Sequence, residues 1–324
     1  MRIPVVVLFA PTATGKTALA LKLFGAGGHS FFNGRAELIS ADSMQAYRGL
    51  DIGTAKPTAA EIETLPHHLI NIHNFDEQYS VAEFVERADS LCRDIGARGK
   101  IPLVAGGTGF YIRNFLMGLP ETPPSDEDLR RELREKSAIR GKYAMFEELC
   151  KIDSESAKKI NPNDEYRILR ALEIFYLSGR PRSDFAQSNE LREKFDFITI
   201  ILERSRDSLY ERINARVDAM FEMDFEHEVR NLIAQGATKE MPGMQAIGYR
   251  EWFEFAEYGV ERIREEIKRS SRKYAKKQYT FTKGIPNASF ICTNDDEEMA
   301  LKVEECLLRR LDAFKNILKI SCPT

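Results

Sequence analysis

Through its first 120 residues the chain alternates short apolar runs with stretches patterned as turn and helix. Residues 4–9, 37–40, 68–72 and 101–105 have the length and hydrophobicity of strands buried on both faces. Strands that alternate with helices predict an α/β fold, a parallel sheet with flanking helices. The polar clusters follow residues 9, 40 and 105, at the carboxyl ends of predicted strands, where open α/β sheets bind ligands. A Pro-rich boundary at 118–126, G-L-P-E-T-P-P-S-D, opens a charged, helix-patterned stretch that runs to about Lys194. Residues 195–201 return to a buried strand. Residues 207–235 then read as one amphipathic helix with Leu209, Ile213, Val217, Met220 and Phe221 inward. The predicted organisation is a core of residues 1–122 and 195–324, interrupted by a helical insertion domain at 123–194.

Composition narrows the class. The 324 residues are 43% hydrophobic and 30% charged, as in an ordinary globular protein. No apolar run approaches the ~18 residues of a membrane span, so no membrane partner is expected. The N-terminal apolar run leads into a glycine-lysine loop without a signal cleavage site; a cytoplasmic protein is expected. Cys92, Cys150, Cys292, Cys306 and Cys322 are widely spaced without a C-x-x-C pair, which reads as idle reduced thiols rather than a zinc site. With a net charge of -3, contact with nucleic acid has to come from a local basic concentration. Residues 262–283 supply one, with nine Lys or Arg against two Glu. On a helix, Arg264, Lys268, Arg272 and Lys276 form one row and Arg269, Lys273 and Lys277 the next. Their mutual repulsion points to a polyanionic partner.

Three loops carry candidate chemistry. Ala10, Pro11, Thr12, Ala13, Thr14, Gly15, Lys16 and Thr17 lie between the first predicted strand and a helix at 18–24, the context of a phosphate-binding P-loop. Backbone N–H groups and a helix N-terminus concentrate positive charge there, Lys16 adds a full charge, and the Thr17 hydroxyl suits Mg2+. Such a loop serves a diphosphate or a nucleotide such as ATP equally well. Ala10 stands where the motif has its first glycine. The second loop, S-A-D-S-M-Q-A-Y at 40–47, sets Asp42 and Gln45 beyond the second strand, with Asp42 open to reading as metal ligand, proton acceptor or helix cap. After it, D-I-G-T-A-K-P at 51–57 either faces the same anion or turns the chain. The third, V-A-G-G-T-G-F-Y at 104–111, surrounds Thr108 with glycines that permit close backbone approach.

In this order and spacing, these motifs resemble the tRNA dimethylallyltransferase family. The resemblance continues through I-N-P-N-D-E-Y-R-I-L-R-A-L-E at 160–173, L-Y-E-R-I-N-A-R-V-D-A-M at 209–220, Q-A-I-G-Y-R-E at 245–251 and R-K-Y-A-K-K-Q at 272–278. Phe281 and Lys283 depart from the family's usual Trp and Arg. The resemblance implies a P-loop NTPase-like fold, dimethylallyl diphosphate as donor, Mg2+ as cofactor, and the tRNA anticodon stem-loop as partner; a monomer is expected. It further implies Asp42 as general base, Thr108 and Arg216 as contacts to the leaving diphosphate, and residues 10–17 as its cradle. Asp42, Ser43, Met44, Gln45, Thr108, Gln245, Arg250, Arg272, Lys276 and Lys277 would contact tRNA from the core, and Arg130, Tyr166, Arg167, Ile168, Leu169 and Arg170 from the insertion. Two enzymatic rivals share the phosphate loop: a prenyltransferase acting on free adenine nucleotides, and a small-molecule kinase. A catalytically idle RNA-binding protein is a third reading.

Overall fold

The computed structural model describes residues 2–185 and 188–318; Cys322 lies outside them. Six parallel strands form one sheet: β1 (Ile3–Phe9), β2 (Ala36–Ser40), β3 (His67–His68), β4 (Ile101–Gly106), β5 (Phe195–Glu203) and β6 (Ser289–Cys292), in the order β3-β2-β4-β1-β5-β6. Side chains on β1 and the residue after it alternate between two cores. Val5, Val7 and Phe9 enter one, with helices Val81–Ala97, Gly109–Met117 and Arg206–Glu222; Val6, Leu8 and Ala10 enter the other, with helices Lys16–Phe24 and Asp296–Leu308. Burial on both faces is why these strands read as continuous apolar runs. Among the described residues no helix is long and apolar enough to cross a membrane.

Two predicted elements need correction, and one strand was not foreseen. The third strand, expected over 68–72, is only the pair His67–His68, because Leu69 and Asn71 take positive φ of 63° and 54° and turn the chain out of the sheet. The helix expected over 207–235 is two, Arg206–Glu222 and Phe225–Ala234, broken where Asp224 takes a φ of 66°. A non-glycine residue in that region ends a right-handed helix. β6, which the pattern did not reveal, has exposed Ser289, Phe290 and Cys292 with only Ile291 buried, so it lacks the long apolar signature. Cys92 is buried and Cys150, Cys292 and Cys306 are also free; burial raises the Cys92 thiol pKa.

The chain divides into two compact units, residues 1–117 with 189–324, and residues 118–188. The smaller has its own core of Leu133, Met145, Leu149, Ile160, Ile168, Ala171 and Leu172, on helices Glu127–Arg140, Lys142–Ile152 and Glu165–Ser178. Asp126 and Asp164 cap two of these helices, accepting from Leu129 N and Arg167 N.

Candidate active site

β1, β4 and β2 are neighbours, so the loops leaving their carboxyl ends meet. Phe9 pairs with Gly106 and Ser40 with Ala105, so the three strands end nearly level. Ala41 N then donates to Ala105 O at 2.8 Å, and Thr108 N donates back to Ala41 O at 3.2 Å. A β-carbon at Gly106 would lie 2.1 Å from the Ala41 carbonyl oxygen; only glycine lets the two backbones approach so closely. Gly106→Ala is therefore expected to push Ala41 and Asp42 off β4, destabilising the fold by about 2–4 kcal/mol, measurable by urea denaturation.

In the phosphate loop, Ala13 and Gly15 have φ of 63° and 98°. Gly15 is the N-cap of helix Lys16–Phe24 and has no side chain to cap it, so the first helical N–H groups are open to an anion. Ala10 carries no positive φ; it extends β1, its N–H donating to Gly106 O at 3.3 Å. The departure from the usual glycine therefore leaves the loop intact. Two arginines hold the loop through its carbonyls. Arg204 Nε donates to Thr14 O at 2.8 Å, Arg212 Nε donates to Ala13 O at 2.9 Å, and both guanidinium groups pair with Asp296. The Thr14 hydroxyl is buried and has no protein partner among the described residues.

The loop opens on a cavity of about 690 Å³. Its walls include Pro11–Thr17, Asp42–Gln45, Gly53–Ala55, Arg216, Gln245 and Arg250, over an apolar side of Ile213, Val217, Met220, Ile247 and Ile267. Arg216 donates to the Thr12 hydroxyl at 2.7 Å. Desolvation lowers the pKa of Arg216 and of Lys16, and the Asp42 carboxylate pulls both back up. Asp42 Oδ1 also accepts Met44 N at 3.0 Å, a local turn that aims the carboxylate. The Lys56 ammonium and the Thr54 hydroxyl are turned away from the anion loop. Lys56 reaches Tyr47 O, Asp51 and Asn71, while the Thr54 hydroxyl donates to Leu50 O, so they turn the chain.

Thr108 is tied to the acidic loop: its hydroxyl accepts Ser43 N at 3.0 Å and faces Ser43 Oγ at 3.3 Å. Arg272 crosses to Asn214 at 2.5 Å. The expected repulsion along the basic helix Val260–Thr282 is relieved in its first half, where Lys268 pairs with Asp218 and Glu265, Arg264 with Glu261, and Arg262 and Arg269 with Glu266. Lys273, Lys276 and Lys277 remain exposed. Phe281 packs on Gly109.

In the smaller unit Arg130 and Arg170 both pair with the buried Glu173, at 3.1 and 2.7 Å. Ile168 is fully buried, so its side chain cannot meet RNA, and Leu169 is partly buried against the same core. Tyr166 and Arg167 are exposed. An expectation carried by motif position alone does not separate the residues that shape this helix from those it displays.

Residues without an assigned role also reach the cavity: Ile267, Ser271, Tyr274 and Gln278 lie on one face of the basic helix. Their i, i+4, i+7, i+11 spacing was the available signal. Gln278 is buried and bridges two loops, accepting Thr12 N at 3.0 Å and donating to Gly107 O at 2.6 Å.

A parallel sheet with an anion loop, a carboxylate and a buried arginine around one partly apolar cavity defines a P-loop-like enzyme that acts on a phosphate-bearing, partly apolar substrate. The chain belongs to the IPP transferase family, whose profile matches residues 45–284. It is 39% identical over 304 residues to a tRNA dimethylallyltransferase of Syntrophobacter fumaroxidans, covering 93% of this chain and 87% of that one. It is 40% identical over 302 residues to another from a Thermoanaerobacter species, covering 91% and 93%. A solved tRNA isopentenylpyrophosphate transferase from Bacillus halodurans aligns with a TM-score of 0.67 at 35% identity, over 99% of this chain and 100% of that one. A eukaryotic dimethylallyltransferase described as acting on tRNA aligns with a TM-score of 0.78 at 26% identity, over 99% and 81%.

Proposed function

We propose that the chain transfers a dimethylallyl group from dimethylallyl diphosphate to the exocyclic amine of the adenine adjacent to the anticodon in tRNA, releasing diphosphate. The observation that carries this reading is the single cavity, in which the anion loop, Asp42 and Arg216 face one another beside an apolar wall. The loop N–H groups and Lys16 suit the diphosphate, and the apolar wall suits the five-carbon chain. The amine nitrogen attacks the allylic carbon, the carbon–oxygen bond breaks with its electron pair leaving on diphosphate, and Asp42 takes the amine proton. Negative charge accumulating on the leaving oxygen is stabilised by Arg216 and Lys16. Thr108 is a further contact to the leaving diphosphate, and its hydrogen bond with Ser43 steadies the loop that carries Asp42.

The donor set fits Mg2+. Thr17, Ser40 and Asp42 line a small hollow beside the phosphate loop, and their oxygens suit a cation that is held largely by substrate phosphates. Thr17 would hold it, and its charge would further stabilise the departing diphosphate.

Mass analysis of nucleosides from tRNA incubated with dimethylallyl diphosphate tests the activity. A prenylated adenosine is expected; transfer only to free adenine nucleotides, or phosphate transfer from ATP to a small alcohol, would refute it. The exposed Lys273, Lys276 and Lys277, with Tyr166 and Arg167 of the smaller unit, support contact with the RNA. Reversing Lys276 and Lys277 to Glu is expected to weaken tRNA binding roughly tenfold or more and to flatten its dependence on salt by about two phosphate contacts. Filter binding across a salt series reads this, and an unaltered slope removes the basic face from the interface. The enzyme acts as a cytoplasmic monomer.

A further inference from the structure

Glu228 of helix Phe225–Ala234 makes an uncommon set of contacts. Its carboxylate accepts three successive backbone N–H groups, Asp51 at 3.1 Å, Ile52 at 2.8 Å and Gly53 at 3.3 Å, and the Tyr249 hydroxyl at 2.5 Å. Successive N–H groups that converge in this way form a concavity suited to an anion, here filled by a side chain of the same protein. The segment so held continues into Gly53, Thr54 and Ala55, which wall the cavity. The Thr54 and Ala55 carbonyls accept the Gln45 amide at 3.3 and 3.2 Å, while Gln45 Oε1 accepts from the Ser40 hydroxyl at 2.9 Å. Gln45 is thereby oriented from a loop whose other end is tied to Glu228. Neither Glu228 nor Tyr249 lines the cavity, and neither bonds to the phosphate loop.

We infer that Glu228 is a positioning residue for the acceptor side of the site: it fixes the 51–55 loop, and through it the amide of Gln45, against the incoming base. This rests on the reading that an adenine enters beside Asp42 and Gln45. The wild-type enzyme is therefore assayed first with tRNA and dimethylallyl diphosphate; no prenylated RNA at that stage counts against the function itself, not against Glu228.

Given that activity, Glu228→Gln removes the charge and turns an amide donor toward one of the loop N–H groups. It is expected to lower kcat/KM for tRNA about tenfold, as one charged hydrogen-bond set is lost, while binding of inorganic pyrophosphate, read by calorimetry, stays within twofold. Glu228→Asp, which keeps the charge, is expected to recover part of the loss. In a double-mutant cycle with Gln45→Ala, the two losses are expected to be strongly non-additive. Tyr249→Phe leaves the carboxylate in place and is expected to show a smaller loss of the same kind; it decides the matter should Glu228→Gln fail to fold. Additive losses, or equal weakening of pyrophosphate binding and tRNA turnover, would show that Glu228 serves stability alone and overturn the inference.

Discussion

Asp42→Ala is expected to slow prenyl transfer by about two decades or more while tRNA binding stays within about twofold. An exocyclic adenine amine is a poor nucleophile because its lone pair is shared with the ring. Removing its proton as the new bond forms lowers the barrier, and Asp42 is the carboxylate on the wall shared with the phosphate loop. Its orientation is set without the substrate, by the Met44 N–H at 3.0 Å. A side chain that touches one base adds little to the affinity for a whole tRNA, most of which comes from phosphate contacts elsewhere. Single-turnover rates at saturating tRNA, with binding measured in parallel, separate the two effects. A rate within threefold of wild type removes Asp42 as the base. Asp42→Asn keeps an acceptor for Met44 N and is expected to be as slow as Ala, because an amide cannot take the proton; recovery by Asn would reassign Asp42 to a purely structural role.

Arg216→Gln is expected to cost about 10²–10³ in the rate of transfer, the usual loss when a preorganised donor to a developing oxyanion is removed. The guanidinium lies in the cavity wall and donates to Thr12 at 2.7 Å. Burial lowers its pKa, so before the donor binds it is a cation short of solvation, offset in part by Asp42. A diphosphate relieves that shortage, most of all when the leaving oxygen gains its full charge. Arg216→Lys is expected to rescue little, since one ammonium cannot bond Thr12 and the leaving oxygen with the geometry of a guanidinium fork. Pyrophosphate affinity and the single-turnover rate at saturating donor read the two consequences. A loss confined to affinity would place Arg216 in ground-state binding only.

The order of loops around the cavity was legible before the fold was. The 10–17 loop, Asp42 and the helix bearing Arg216 and Met220 were recognisable from local chemistry and motif order, and the structure brings them to one cavity. Gln278, Tyr274 and Ser271 were hidden within a segment whose charge dominated its reading, although they form its cavity-facing stripe. The basic rows were legible as charge but not as pairing. Glu261, Asp218, Glu265 and Glu266 pair with Arg264, Lys268 and Arg269, Asp218 from another helix, while Lys273, Lys276 and Lys277 stay exposed.

What the sequence determined by itself is whatever depends on near neighbours along the chain. Buried parallel strands appear as apolar runs, an anion loop as glycine and lysine before a helix, and a family as the succession of such motifs. What only the tertiary structure decided is which groups meet across long separations. Arg204 and Arg212 support the phosphate loop about 190 and 199 positions away, Glu228 grips the 51–53 segment from about 175 to 177 away, and Thr108 bonds to Ser43 about 65 away. Such contacts leave no local periodicity, because a hydrogen bond is fixed by distances of about 3 Å in space and not by spacing in the chain.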